Sequence, residues 1–150
     1  MKDLDDTNKA ILQQLSDGRK PFSLIAEELG ITENTVRSRV NRLMEDGILK
    51  ICGLVDPEKV MGLQIALMGI KLKTLNLDEK AAEFTKLKGV ISAVVVTGRF
   101  DIIIQVLLSD SDDYTLLDFF KKELSKISDV ADVETFVVYQ GHNYLIPYIL

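Results

Sequence analysis

A chain of 150 residues with 47% apolar and 27% charged side chains can bury a core, as one domain or as two small ones. Its longest apolar runs, Val90–Val96 and Ile102–Leu108, fall far short of the roughly 20 residues a membrane-spanning helix needs. The start, Met1-Lys2-Asp3-Leu4-Asp5-Asp6, lacks the basic head and apolar stretch of a secretory signal, so a cytoplasmic protein is expected. Cys52 and His142 are each the only residue of their kind, which leaves no internal disulfide and no Cys/His zinc cluster; neither a cofactor nor a structural metal is expected. The net charge of −5 opposes any general attraction to nucleic acid, so DNA binding would have to come from a local surface.

Leu4, Ile11, Leu12 and Leu15 recur at helical spacings until Gly18-Arg19-Lys20-Pro21 interrupts them, which predicts a first helix. Phe22, Ile25, Ala26 and Leu29, closed by Gly30, predict a second, and Val36, Val40 and Leu43, running on to Gly47, a third. The joint between the last two is specified in detail. Ala26 is small enough for close helix approach, Gly30 accepts a left-handed turn, Ile31 plugs the angle and Thr32 caps the third helix, the composition of a helix-turn-helix.

At about 100° per residue, Val36, Val40 and Leu43 share one side of the third helix and Asn34, Arg37, Ser38 and Asn41 the other. Between Asn34 and Met44 lie Arg37, Arg39 and Arg42 with no acidic residue, whereas Asp110, Asp112, Asp113 and Asp118 gather in the C-terminal half. A recognition helix offers its N-terminal half to base edges, where Arg suits guanine and Asn adenine. Asn34, Arg37, Ser38 and Asn41 are therefore expected nearest the bases, with Thr32 and Thr35 at the helix start and Arg42 and Lys50 on backbone phosphates. Arg39, at the core edge, is expected to brace the domain through a salt bridge. The alternative is a small helical bundle whose solvated face happens to be basic.

Ile48 to Val55, followed by Asp56-Pro57, suits one or two short strands forming a wing and then a hinge. The expected division is residues 1–53 as a DNA-binding domain, 54–63 as a hinge and 64–150 as a second domain. In that domain the order is strand (Ile65–Leu72), helix (Asp78–Leu87), strand (Val90–Thr97), strand (Ile102–Leu108), helix (Asp112–Ile127) and strand (Val133–Tyr139). This is a ferredoxin-like βαββαβ series, with both helices on one face of a four-stranded antiparallel sheet. The fold class is thus α+β. Val94, Val95 and Val96, and Ile102, Ile103, Ile104 and Val106, leave little polar face, so the sheet is expected to be covered on both sides, the second cover being another subunit. The apolar tail, Tyr144 to Leu150, is expected to pack on a neighbouring subunit.

Two signatures carry a family resemblance. The first is Leu4-Asp5 with Ile11-Leu12, Gly18-Arg19, the turn above, Arg39-Val40-Asn41-Arg42-Leu43 and Gly47-Ile48-Leu49; the second is Val94-Val95-Val96-Thr97-Gly98-Arg99-Phe100-Asp101-Ile102-Ile103. In this order and separation they resemble the Lrp/AsnC (feast/famine) regulators of bacteria and archaea over nearly the whole chain. The resemblance implies a winged helix-turn-helix that binds double-stranded promoter DNA, joined to an effector-binding βαββαβ domain. It also implies a homodimer formed through the sheets, with dimers often assembling into octamers. An amino acid or related metabolite is expected between subunits at the turn, with Thr97, Gly98, Arg99, Phe100, Asp101 and Thr135 as its residues. Gly98 permits a turn that a side chain would block, and Asp101 could pair with a ligand ammonium; the same Gly-Arg-Phe-Asp is also a good plain hairpin turn, with Asp101 bonding its own backbone. Arg99 could select an acidic effector by charge.

The chain departs from the family pattern at Asn8, where a second Asp is usual, at Val133, where relatives alternate two Thr with the position of Thr135, and in its apolar tail. Two other functions fit the same fold. A tetrapyrrole (sirohaem-type) decarboxylase would need several cations around its substrate, yet Arg99 is the only arginine after Arg42 and the one histidine lies near the C-terminal end. An effector-sensing partner without DNA binding would have no use for the arginines of the third helix.

Overall fold

The computed structural model describes residues 4–150, and the chain divides into two compact units whose boundary falls between Cys52 and Gly53. The first unit is three helices: α1 (Asp6–Gln14), α2 (Phe22–Leu29) and α3 (Glu33–Glu45). Asp5 caps α1 by accepting the Asn8 N–H at 2.7 Å. Gly30, at φ 65°, ends α2, and the Ile31 N–H returns to the Ala26 carbonyl at 3.0 Å. Thr32 then opens α3, accepting the Thr35 N–H at 3.2 Å. Ile11, Ile25, Ala26, Val36 and Val40 form the core, with Leu15, Phe22, Leu29, Ile31 and Leu49 packed around it.

Residues 48–53 carry no strand ladder, so the expected wing strands do not form there. The N–H groups of Ile48 and Leu49 both return to the Leu43 carbonyl, at 2.9 and 3.0 Å, and Leu49 packs into the three-helix core. The two residues that do form a strand, β1 (Leu54–Val55), belong to the second unit.

That unit continues with β2 (Leu63–Leu72), α4 (Leu77–Phe84), β3 (Val90–Val95), β4 (Ile102–Ser109), α5 (Leu116–Asp118), β5 (Val130–Val137) and β6 (Ile146–Pro147). The main sheet has the order β3-β4-β2-β5, antiparallel throughout, as the ferredoxin-like expectation requires. Strand alternation sends Ala66, Met68, Ile70 and Leu72, with Ile102, Ile104, Val106 and Leu108, to one face, where Phe84, Phe119 and Leu124 cover them. No helix among the described residues is long and apolar enough to cross a membrane.

The second long helix starts later than its apolar pattern suggests. Asp110–Asp112 make a 3-10 turn, Asp113 takes a left-handed φ of 50°, and Tyr114 bridges back to Ser109. The polar Ser-Asp-Ser-Asp-Asp run satisfies itself as a turn. Thr115 then forms a reciprocal capping box with Asp118, and α5 runs on through a π turn (Phe119–Glu123) and a 3-10 turn (Leu124–Lys126).

The stretch 54–63, expected as a hinge, is built into the second unit. Leu54 pairs with Pro147 and Val55 with Ile146, and Pro57–Lys59 form a 3-10 turn capped by Asp56. Ile146 is 1% exposed and packs with Ile65 and Leu107. Ile146, in the apolar tail expected to pack on a neighbour, thus covers part of its own sheet, while Leu145 and Tyr148 stay more than half exposed. Tyr144 reinforces it, its hydroxyl accepting from Gln105 Nε2 at 2.6 Å. The rest of that face stays open: Val94 is 50% exposed and Phe136 49%.

Candidate nucleic-acid interface and ligand turn

The two sides of α3 differ as the sequence predicts. Val36, Val40 and Leu43 are buried, while Asn34, Arg37, Ser38, Asn41 and Arg42 gather around one open concavity. Asn34, Thr35, Ser38 and Arg42 also line a second cleft, which continues to Leu4, Asp5 and Asn8. Arg37 is aimed rather than loose: its Nη2 donates to Glu33 Oε1 at 2.6 Å and its guanidinium lies 5.5 Å from the centre of the Phe22 ring. Such exposed pairs contribute little, so a DNA partner can replace the carboxylate. Arg42 is freer still, 80% exposed and 4.0 Å from Asp46.

Three more residues belong to the expected DNA set. The hydroxyls of Thr32 and Thr35 lie 2.9 Å apart and serve the helix start, and Lys50 is exposed in the 48–53 segment, outside the lining of the α3 concavity. Arg39 braces the unit, its Nη1 donating to Asp5 Oδ2 at 2.6 Å and to Asn8 Oδ1 at 3.0 Å. Asn8 thus takes a bond from Arg39 through its amide oxygen, and the Arg39 guanidinium holds the Asp5 carboxyl below its ordinary value. Sequence reasoning missed the acids of the concavity, Glu45 and Asp46. They lie just past the acid-free window that ends at Met44, where the helical wheel already puts Glu45 in line with Asn34.

In the second unit, Thr97 to Asp101 join β3 to β4. The Val96 N–H donates to the Asp101 carbonyl at 3.0 Å, and the Asp101 N–H donates to the Ile70 carbonyl at 2.9 Å. Gly98 has φ 124°, and a Cβ there would meet nothing within 4 Å. Phe100 folds back over Gly69, where a Cβ would lie 2.5 Å from the ring. Arg99 sits 5.4 Å from the centre of that ring, with Nη2 2.8 Å from Glu134 Oε2. The Arg99 approach to Glu134 Oε2 lacks hydrogen-bond alignment, and this buried oxygen has no hydrogen-bond partner.

Three expectations for the turn change. Asp101 bonds neither its own backbone nor an open space: its carboxylate accepts the Leu72 N–H at 2.8 Å and the Lys71 ammonium at 2.7 Å, both from β2. It fastens the turn to the neighbouring strand. Arg99 already faces a carboxylate, Glu134, instead of standing unpaired for an acidic ligand. Thr135 lies opposite Met68, on the helix-covered face, while its neighbour Glu134 lies opposite Gly69 on the other face. Strict alternation along β5 separates Thr135 from the Phe100 side of the sheet.

The Leu72 N–H, and after it Lys71, hold the Asp101 carboxyl below its ordinary value of 3.8. A depressed carboxyl stabilises the fold fully above that value and loses its contribution as pH falls through the lower folded value. As pH falls below about 4, the melting temperature of the native chain should therefore fall more steeply than that of Asp101→Asn. Parallel acid profiles for the two proteins would show that the carboxylate does not fasten the turn.

Residues 4–50 match the family model described as winged helix-turn-helix DNA-binding, and residues 65–144 match the Lrp/AsnC ligand binding domain. An uncharacterised HTH-type transcriptional regulator of Pyrococcus abyssi is 33% identical over 137 residues, covering 90% of this chain and 85% of its own. The HTH-type transcriptional regulator LrpA of Pyrococcus horikoshii is 31% identical over 132 residues, covering 87% of this chain and 92% of its own. Among solved structures, a Neisseria meningitidis transcriptional regulator in complex with L-Met superposes with a TM-score of 0.71 at 25% identity, covering 95% and 94% of the two chains. Escherichia coli AsnC shares the fold, with a TM-score of 0.68 at 24% identity over 93% and 95%.

Proposed function

This chain belongs to the Lrp/AsnC family of DNA-binding transcription regulators, and from that premise we propose that α3 reads promoter DNA while the turn at Thr97–Asp101 senses an amino acid or related metabolite. One observation carries the DNA reading: Asn34, Arg37, Ser38, Asn41 and Arg42 line a single open face directly behind a buried Val36-Val40-Leu43 stripe. Asn34, Arg37, Ser38 and Asn41 approach base edges there, and Arg42 and Lys50 approach phosphates. The full-length protein, used to select duplexes from a random-sequence library, should enrich a motif whose half-sites lie about one helical turn apart. Recovery of no motif above the starting pool would overturn this reading.

The sensing role rests on the turn. Gly98 leaves an uncrowded backbone, and Glu134 presents a buried oxygen that still lacks a hydrogen-bond partner close to Arg99. The Neisseria meningitidis relative solved with L-Met supports an amino acid as the ligand class. Asp101 and Phe100 hold the turn in place, and Thr97 and Arg99 remain exposed beside it. The chain works in the cytoplasm and catalyses no reaction: after Arg42 it carries a single arginine and a single histidine, a sparse set for acid-base work on a polycarboxylate substrate such as a tetrapyrrole.

Copies of the chain assemble through the open face of the sheet, first as homodimers and then as octamers. Support comes from half-exposed Val94 and Phe136, with Leu67 and Ile103 beside them on the same face. Phe136→Asp should shift the protein to smaller species in sedimentation velocity, because a carboxylate buried against a second apolar sheet has no partner there. An unchanged sedimentation coefficient would place the interface elsewhere.

A further inference from the structure

Glu45 is the residue of α3 that neither the fold nor the reading of its recognition face accounts for. It is exposed, eleven residues after Asn34 on a helix of 13 residues, and shares the open concavity with Asn34, Arg37, Ser38, Asn41 and Arg42. Among the described residues it makes no hydrogen bond or ion pair, while Arg42 faces Asp46 at 4.0 Å. Its place at the C-terminal end of α3 sets a negative charge against the negative pole of the helix, an arrangement that opposes helix stability. A residue that breaks a local rule without local compensation points to a role outside the fold.

We propose that Glu45 is a specificity-determining residue that weakens the hold of α3 on DNA of any sequence, so that duplexes offering the right bases are retained and others are released. The inference rests on the reading of α3 as the DNA-reading helix. A carboxylate beside a duplex meets phosphates whatever the sequence, and the size of the repulsion depends on how closely it approaches them. The base contacts of Asn34, Arg37, Ser38 and Asn41 all come from positions N-terminal to it on the helix. On a matched duplex these contacts lock the helix in one register, with Glu45 at a fixed distance from the backbone. On an unmatched duplex the protein slides and hops, held by charge alone, and there the carboxylate samples positions closer to the phosphates than in the locked register and is repelled more. Discrimination gained by weakening the wrong complex is as real as that gained by strengthening the right one.

The test uses the full-length protein with two duplexes of equal length, one taken from the random-sequence selection and one of scrambled sequence, at several salt concentrations. Glu45→Gln should tighten binding to scrambled DNA about threefold to tenfold and to the selected duplex by less, so that the ratio of the two affinities falls. Glu45→Lys should extend both changes and steepen the dependence on salt. Arg37→Ala, measured beside them, separates a failure of Glu45 from a failure of α3. If Arg37→Ala weakens binding while Glu45→Gln leaves both affinities unchanged, Glu45 has no such role. If Glu45→Gln weakens the selected complex alone, the carboxylate contacts a base and the proposal is overturned. If all three variants bind as the native protein does, α3 is not the reading helix and the premise falls with it. Because Glu45 is exposed and unpaired, the melting temperature of Glu45→Gln should not decrease, which guards the comparison against misfolding.

Discussion

Arg37→Ala should lower affinity for a selected duplex by roughly tenfold to a hundredfold, the loss expected of one good side-chain contact to a base. Arg37 is the only arginine in the first half of α3, and its orientation is set before DNA arrives by Glu33 Oε1 at 2.6 Å and by the Phe22 ring at 5.5 Å. A guanidinium held this way loses less freedom on binding than one on a free stem. Stability should hardly change, because the pair with Glu33 is exposed, with side-chain accessibilities of 55% and 47%. Gel-shift titration at fixed salt, beside a thermal melt, reads both quantities. Unchanged affinity in a folded variant would remove Arg37 from the interface.

Gly69→Ala should destabilise the second unit strongly. The new methyl would lie 2.5 Å from Phe100 Cδ2 and 2.6 Å from its Cγ, so the ring as a whole must leave its seat. Its departure takes the support from beneath Arg99 and loosens the turn from Thr97 to Asp101. Overpacking of this kind costs about 1–3 kcal/mol, or roughly 5–20 °C in the melting temperature of a unit this size. Under the proposed sensing role of the turn, titration with amino acids should show weaker binding than by the native protein. Phe100→Ala added to Gly69→Ala should recover part of the stability, because the clash has then lost its second member. Equal losses in the double and single variants would mean that the two residues do not meet.

The features legible in the sequence are those set by local chemistry. The helix-turn-helix depends on neighbours a few residues apart: Ala26, Gly30, Ile31 and Thr32 each fix one feature of the joint, and the structure has all four in those roles. The strand series is legible in nearly continuous apolar runs separated by short polar and glycine-containing stretches. The features that escaped depend on distant partners. Asp101 looked free because Lys71 and Leu72 are about thirty positions away. Thr135 looked available because the face on which it lies is settled only by its register with Met68. The late start of α5 hid behind an apolar pattern that a polar turn interrupts without erasing. The acids of the α3 face, Glu45 and Asp46, directly follow the acid-free run from Asn34 to Met44.

The short pairing of β1 with β6 joins positions roughly ninety residues apart in the chain. A ribosome adding about 5–20 residues per second takes on the order of 5–20 s to cover that distance. Throughout that interval the three-helix unit, whose contacts lie within the first 52 residues, can already be folded, while Leu54 and Val55 wait for partners not yet made. The newborn protein can thus complete its three-helix unit first and ties down the chain immediately after it last, so a nascent chain stalled before Ile146 would carry a finished head on an unfastened strand.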